Sequence, residues 1–459
     1  MKNIRFLILS MLIFLAFSCQ EKLELTPISQ LSTANFYQSE TDYIIAINGA
    51  YNGLRDEFGD IVLFGDIRSD NTVPVLSGSV TTRSDFNDFS ILPNNVAIRG
   101  RWENSYNTLA RVNAILDRID DSEIDSNLKS QIKGEALFIR GLVYFNLVRI
   151  YGNVPLVLSE ITPAESLELP QSNTEQVYSA IITDLTQAAS LLPVSYDASN
   201  IGRATSIAAN ALLGKVLLYS GNYSESVTAF RKVLAEEGTN VDLLADYSDI
   251  FDISNEYNAE ILFAVRWTND GVNGNNFNYS YANINEPDNK ATSTDLYFEF
   301  EEGDTRRGVT LNTEVSPIDT VVYKYGYAPA GQGESDWPVI RYADVLLMLS
   351  EALNEQGFVA EGEAFDLLNR VRERASLASV NSNVVNNQEA FRLALEHERR
   401  AELASEGHRW FDLVRTGRYI EVMSEKGFNV AAYHNLFPIP ENEISKINDD
   451  NILKQNPGY

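Results

Sequence analysis

Apolar positions are densest between Glu135 and Leu158. From Ala136 to Tyr151, twelve of sixteen residues are apolar or aromatic; the exceptions are Arg140, Gly141, Asn146 and Arg149. A helix that is greasy on almost every side is buried among other helices. One this short, and this often interrupted by charge, does not span a bilayer. Gly152, Asn153 and Pro155 stop it, because glycine permits a left-handed exit and proline cannot continue the ladder. Other helices are expected to pack around this one. Ser39-Glu40-Thr41-Asp42 reads as a capping box, opening a helix with Tyr43, Ile44, Ile47, Ala50, Tyr51 and Leu54 on one face. Periodicity returns at Arg101–Ile119, and again at Asn173–Leu192, which Pro193 ends.

Thr205 to Glu237 places Leu213, Gly214, Leu217, Gly221, Tyr223 and Phe230 at the spacing of a tetratricopeptide repeat. There, small residues let two helices approach and aromatics fill the groove between them. Arg341 to Ala375 is a weaker copy turning at Gly357-Phe358, and helices resume as far as Gly407. Two stretches lack a helical period. Gly59–Arg99 is polar and is expected to be a long ordered loop, a length that usually signals function. Asp252–Pro338 offers two short strand candidates, Glu260–Trp267 and Val321–Tyr327, around an asparagine-rich run. The expected fold is mainly α. Tetratricopeptide-like helix pairs form the scaffold, and an irregular, loop-rich region with a few short strands carries any ligand site.

The N-terminus changes the picture. Lys2 and Arg5 precede an apolar run, Phe6–Phe17, broken only by Ser10, and Ser18-Cys19 follows. This reads as an export signal, too short to be a spanning helix. Cys19 is the sole cysteine, so it has no internal disulfide partner and is placed to be acylated. The expected organisation is a signal peptide over 1–18 and one unit over 19–459, with the loop-rich region inserted at about 252–338.

The chain has 36 Lys+Arg against 64 Asp+Glu, a net charge of −28. That argues against nucleic acid, whose phosphates need a basic surface. It also disfavours a polyanionic ligand, unless a local patch of arginine and lysine overrides it. Catalytic and cofactor signatures are lacking. The folded body has no thiol nucleophile. His397-Glu398 does not continue as a zinc motif because position 401 is Ala. Neither a Walker A loop nor a dinucleotide glycine fingerprint occurs. With 64 acids, any chosen carboxylate pair is more often solvated surface than a glycosidase pair.

Several segments carry a resemblance. Glu398-Arg399-Arg400-Ala401-Glu402-Leu403-Ala404 leads to Glu406-Gly407-His408-Arg409-Trp410-Phe411-Asp412-Leu413. Leu436-Phe437-Pro438-Ile439-Pro440 leads to Gln455-Asn456-Pro457-Gly458-Tyr459. With RGLVYFNLVRIYGNVPL, RYADVLLMLSEALNEQG and the Cys19 box, these resemble the SusD/RagB family of outer-membrane nutrient-binding lipoproteins across essentially the whole mature chain. The resemblance implies a lipid-anchored cell-surface protein that catalyses nothing and uses no cofactor. It would cap a SusC-like TonB-dependent outer-membrane transporter and hand it glycans, or peptides in the RagB branch. No family motif assigns the ligand residues.

Those are inferred from composition. Sugars present flat C–H faces, which aromatic rings cover, and hydroxyls, which Asn, Asp and Arg pair. Trp102 and Trp410 fall in helical segments and are expected in the core with Phe411. Trp267 and Trp337 fall in the irregular middle, with Tyr279, Tyr281, Tyr325 and Tyr327. Asn269–Asn289 holds eight asparagines in twenty-one residues, Asn276 among them. The expected glycan contacts are Trp267, Asn276, Tyr279, Tyr281 and Trp337, with Asp70, Asn71 and Arg83 from the first polar stretch. No metal ligands are expected. The competing functions are an oligopeptide-binding relative, a polysaccharide-degrading enzyme and a helical-repeat adaptor. Replacing Cys19 by Ala should release the protein from membranes; a Cys19→Ala variant that still fractionates with the outer membrane, in cells lacking the transporter, would count against the anchor.

Overall fold

A computed structural model describes residues 36–74, 81–282, 291–292, 294–312 and 320–459. The export signal and Cys19 lie outside them. No helix among the described residues is long and apolar enough to cross a membrane.

Helix α1 (Glu40–Phe58) begins at the expected capping box: Ser39 accepts from the Asp42 amide, and Asp42 reaches back to the Ser39 amide. It buries Tyr43, Ile47, Ala50 and Leu54. After a single π-helical turn, Leu63–Ile67, and a short helix α2 (Thr81–Asn87), α3 spans Val96–Ile119. Helix α4 (Ser126–Tyr151) is the greasy stretch with ten more residues at its start; from Gly134 to Val148 every residue is buried. Gly152 leaves it at φ +72. Helix α5 (Thr174–Leu191), capped by Asn173, packs along α4.

Then come the two expected helix pairs, α6 (Ser206–Tyr219) with α7 (Tyr223–Leu234), and α9 (Tyr342–Gln356) with α10 (Glu363–Arg374), separated by a short helix α8 (Phe277–Ala282). Gly214 shows why the first pair needs a small residue: a Cβ there would lie 2.4 Å from the Phe230 ring. Helices α11 (Gln388–Glu402) and α12 (Arg409–Arg415) follow. Trp102, Trp410 and Phe411 are core residues, as expected.

The strands are short and antiparallel. β1 (Val73–Pro74) pairs with β5 (Ala291–Thr292), and β2 (Val154–Pro155) with β3 (Gln171–Ser172). β4 (Ile261–Val265) pairs with β8 (Trp337–Arg341), and β6 (Leu311–Asn312) with β7 (Val321–Val322). β4–β8 brackets the irregular middle and packs on α1 and α6. The expected strand Val321–Tyr327 stops after Val322 because the chain turns there: the Gly326 amide donates to the Tyr323 carbonyl at 2.7 Å, with Gly326 at φ +68.

The expected long polar loop over Gly59–Arg99 is interrupted by helical turns at Leu63–Ile67 and Thr81–Asn87. Asp66, Ser69, Asp70 and Asn71 are buried; Ser69 bonds locally, whereas Asp66, Asp70 and Asn71 find partners from far along the chain. Asp70 accepts from Nε and Nη2 of Arg409 at 2.8 and 3.0 Å and lies 3.2 Å from Arg400 Nη2. Asn71 Oδ1 accepts from Arg400 Nε at 3.1 Å. Burial by itself would raise the Asp70 pKa, but Arg409 and Arg400 outweigh it and hold the carboxyl at about 2. That folded value is below the ordinary ~3.9, so the pair stabilises the fold above about pH 4 and its contribution fades as pH falls towards 2. Asp70→Asn should therefore cost about 2–3 kcal/mol at neutral pH, because it leaves Arg409 with Glu396 alone and Arg400 with Asp295 and Glu299. In urea titrations the gap to wild type should close between about pH 4 and pH 2; a gap constant over that range would place the stabilisation elsewhere.

Candidate functional site

The loop leaving β4 is held by its own polar residues. The Trp267 amide donates to Asp336 Oδ1 at 2.8 Å. Asp270 accepts from the amides of Val272 and Asn273, closing a turn at Gly271. Asn275 then forms an antiparallel bridge with Gly333, with bonds of 2.8 and 3.2 Å. Two glycines permit this approach: a Cβ on Gly274 would lie 2.1 Å from the Gly331 carbonyl, and one on Gly333 2.2 Å from Asn275 Oδ1.

Among the described residues, Asn275, Asn276 and Asn278 are spent on that architecture. Asn275 Nδ2 donates to the Ser335 carbonyl at 2.9 Å, and Asn278 Nδ2 to the Tyr325 carbonyl at 2.5 Å. Asn276, although exposed, accepts from the Gly331 amide at 2.9 Å. Side-chain amides paired with backbone in this way hold a loop in shape; they are not an array waiting for sugar hydroxyls.

Beneath the loop lies an aromatic layer. Phe277 meets Trp267, Tyr325 and Trp337 edge-on at 5.4, 5.2 and 5.1 Å, and Tyr325 stacks on Trp337 at 5.6 Å. Tyr281 stacks on Tyr325 and donates to Asp66 Oδ2 at 2.8 Å. The same oxygen accepts from the Gly407 amide at 2.9 Å; burial nevertheless raises the Asp66 carboxyl to about 6. Trp267 is 5% exposed and Trp337 1%. The expectation that these two rings serve as sugar platforms is therefore corrected: Trp337 is buried under Tyr325 and Phe277, and Trp267 is buried beside Phe277. Tyr281, Asp70 and Asn71 are likewise buried structural residues rather than ligand contacts.

Three expected contacts remain near one surface. Tyr279 is half-buried, with its ring 6.5 Å from that of Tyr327, which is 49% exposed. Arg83, on α2, donates from Nη2 to Ser280 Oγ at 2.8 Å. Burial lowers the Arg83 pKa, and the nearby hydroxyls of Tyr281 and Tyr279 oppose that shift. Asn276 lies on the same loop. Tyr323, which opens the turn that presents Tyr327, is also exposed and was missed in the ligand set. The signal for it was in the sequence: Tyr323, Tyr325 and Tyr327 alternate, but Gly326 breaks the strand, so Tyr325 turns into the core while its neighbours turn out. One exposed and one half-buried ring beside a guanidinium and a hydroxyl can cover an apolar ligand face and bond its polar rim.

A larger cleft, of about 510 Å³, opens among α6, α9, α11 and α12. Its wall is made of satisfied ion pairs: Arg392 bonds Glu355 at 2.7 and 2.6 Å, Arg399 bonds Asp412 and Asp344, and Arg415 bonds Glu351. Among the described residues no cluster of three or more His, Cys, Asp or Glu is arranged to hold a metal ion.

Comparison with known proteins agrees along the length of the chain. The family model described as "SusD family" matches residues 272–459, and one described as "Starch-binding associating with outer membrane" matches residues 28–218. A SusD-like protein, P25, from Formosa agariphila is 27% identical over 94% of this chain and 95% of its own. The solved structure of a laminarin-binding SusD-like protein superposes with a TM-score of 0.80, at 29% identity over 92% of this chain and all of its own. Surface glycan-binding protein A from Bacteroides fluxus has the same fold, at TM-score 0.80 and 23% identity over 92% of this chain and all of that one. The chain belongs to the SusD/RagB family, whose members bind ligands rather than catalyse reactions.

Proposed function

We propose that this chain is a cell-surface lipoprotein that binds an oligosaccharide or polysaccharide and delivers it to a SusC-like TonB-dependent transporter in the outer membrane. The observation that carries the binding half is the pairing of exposed Tyr327 with half-buried Tyr279, beside Arg83 and Ser280. Support from outside the chain is the laminarin-binding relative at 29% identity. A sugar ring laid against Tyr327 buries its C–H face, and its rim hydroxyls meet the tyrosine hydroxyls and the guanidinium. The rings are set by the loop beneath them, so little ordering is needed on binding. The transporter, and the lipid anchor at Cys19, rest on the resemblance and on the leader.

The outer rings and the inner ones should behave oppositely. Tyr327→Ala should weaken glycan binding by about 30-fold, the equivalent of about 2 kcal/mol of lost apolar burial, with an unchanged thermal midpoint. Trp267→Ala should instead cost about 3–5 kcal/mol of stability, as a large-to-small core change. Affinity electrophoresis against a polysaccharide panel, with calorimetry on the same samples, reads both. If Tyr327→Ala binds every glycan as wild type does, the tyrosine pair is not the site. If peptides bind and no glycan does, the ligand class is wrong.

A further inference from the structure

A second cleft, of about 340 Å³, lies between α1, the segment 199–203 and β4. Its volume falls in the range of small-ligand sites, ~300–1,000 Å³. Three arginines line it, Arg55, Arg203 and Arg266, and among the described residues no carboxylate does. In a chain with net charge −28 this is a local reversal of sign.

The three guanidinium groups are not equally committed. Arg203 is held by Glu135 at 2.8 Å and by Asn48 and Asn200. Arg55 bonds only neutral oxygens: the Arg266 carbonyl and Asn273 Oδ1, both at 2.6 Å, and Asn52 Oδ1 at 3.2 Å. Arg266 is positioned by a ring, its guanidinium carbon 4.9 Å above Tyr257. Its nearest carboxylate, Asp336, is 3.9 Å away, and that carboxylate's Oδ1 is engaged by the Trp267 amide. The Arg266 side chain is 48% exposed, so its donor fork is open to solvent. Burial, and then Glu256, raise the Asp336 carboxyl to about 7, which weakens its hold on Arg266 near neutrality. In the larger cleft the opposite holds, since Arg392, Arg399 and Arg415 each have a bonded carboxylate.

We propose that this cleft takes an anionic substituent of the ligand, a carboxylate or a sulfate ester on an acidic oligosaccharide, with Arg266 as the principal contact and Arg55 beside it. A neutral sugar hydroxyl accepts guanidinium hydrogens one at a time. An oxyanion accepts two of them in one plane, the geometry for which arginine is suited. The cleft is tied to the tyrosine pair through one loop: Asn273, near its start, bonds Arg55, and Asn276, near its end, bonds the Gly331 amide ahead of Tyr279. This inference rests on the glycan-binding function proposed above and narrows its substrate class.

Calorimetric titration of the full mature chain at low salt tests it. The probes are an oligogalacturonate, a sulfated galactan oligosaccharide and a neutral oligogalactoside of the same length. Wild type should bind one of the two anionic probes at least tenfold tighter than the neutral one, and added NaCl should erode that preference. Arg266→Gln should lose the preference while retaining wild-type affinity for the neutral probe and the wild-type thermal midpoint. Arg266→Lys, which keeps the charge but not the fork, should retain part of it. If the neutral probe binds and the anionic probes bind no better, or their advantage survives Arg266→Gln, the inference fails and the glycan-binding function stands. If no probe and no member of the polysaccharide panel binds, both fail. A sulfate-only or a carboxylate-only preference identifies which oxyanion the cleft accepts.

Discussion

Arg341 is a fully buried guanidinium with carboxylates on every side, and much of the molecule is arranged around keeping it so. It donates to Glu260 at 2.5 Å, to Glu402 at 3.0 Å and to both oxygens of Glu406, at 2.8 and 2.9 Å. Arg374 and Arg306 share Glu402 with it, and Arg306 continues to Glu398 and Asp304. Burial alone would raise the Glu402 carboxyl, but Arg374, Arg341 and Arg306 together hold it well below the usual range. Desolvating so many ions is costly, and an apolar core of the same shape is often as stable. Removing one partner, however, leaves an uncompensated charge. The network therefore enforces a single arrangement of the elements it joins: β4, β8, α10, α11 and the turn at Glu406.

That arrangement decides what the irregular middle can present. Arg341 ends β8, whose first residue is Trp337, and Glu260 precedes β4, which runs into Trp267. Fixing the two strands fixes both indoles against Phe277 and Tyr325. The outer loop then rests on a rigid aromatic floor, above which Tyr323, Tyr327 and part of Tyr279 reach the surface. The largest rings thus act one layer below the exposed tyrosines, setting the position of smaller rings. The same loop meets Arg55 through Asn273, which puts an arginine-lined cleft and an aromatic rim on one short piece of chain.

Local signals were legible in the sequence wherever both partners of an interaction lie within a few turns of each other. The cap at Ser39 was of this kind, as were the apolar density of α4, its exit at Gly152, and the match of Gly214 to Phe230. Helix periodicity depends on positions three and four apart, so it survives without knowledge of the fold. Family membership was legible too, through segments spread over the chain. Of the candidate site, only the residue types and the region were readable: aromatics, amides and arginine in the non-helical parts.

What the tertiary structure decided is which of those side chains face out. Polar composition made Asp66–Asn71 look like surface, yet Asp70 and Asn71 are buried because Arg400 and Arg409, more than 300 positions later, neutralise and bond them. Large flat rings made Trp267 and Trp337 look like platforms, yet each is buried against rings from other segments. Asn275, Asn276 and Asn278 advertised open hydrogen-bonding capacity, but loops brought close by Gly274 and Gly333 consume it. Burial and partner satisfaction are long-range properties, set by how distant segments pack. A sequence specifies its local periods and caps directly, whereas the side chains left open to a ligand are those that remain after every distant partner has been found.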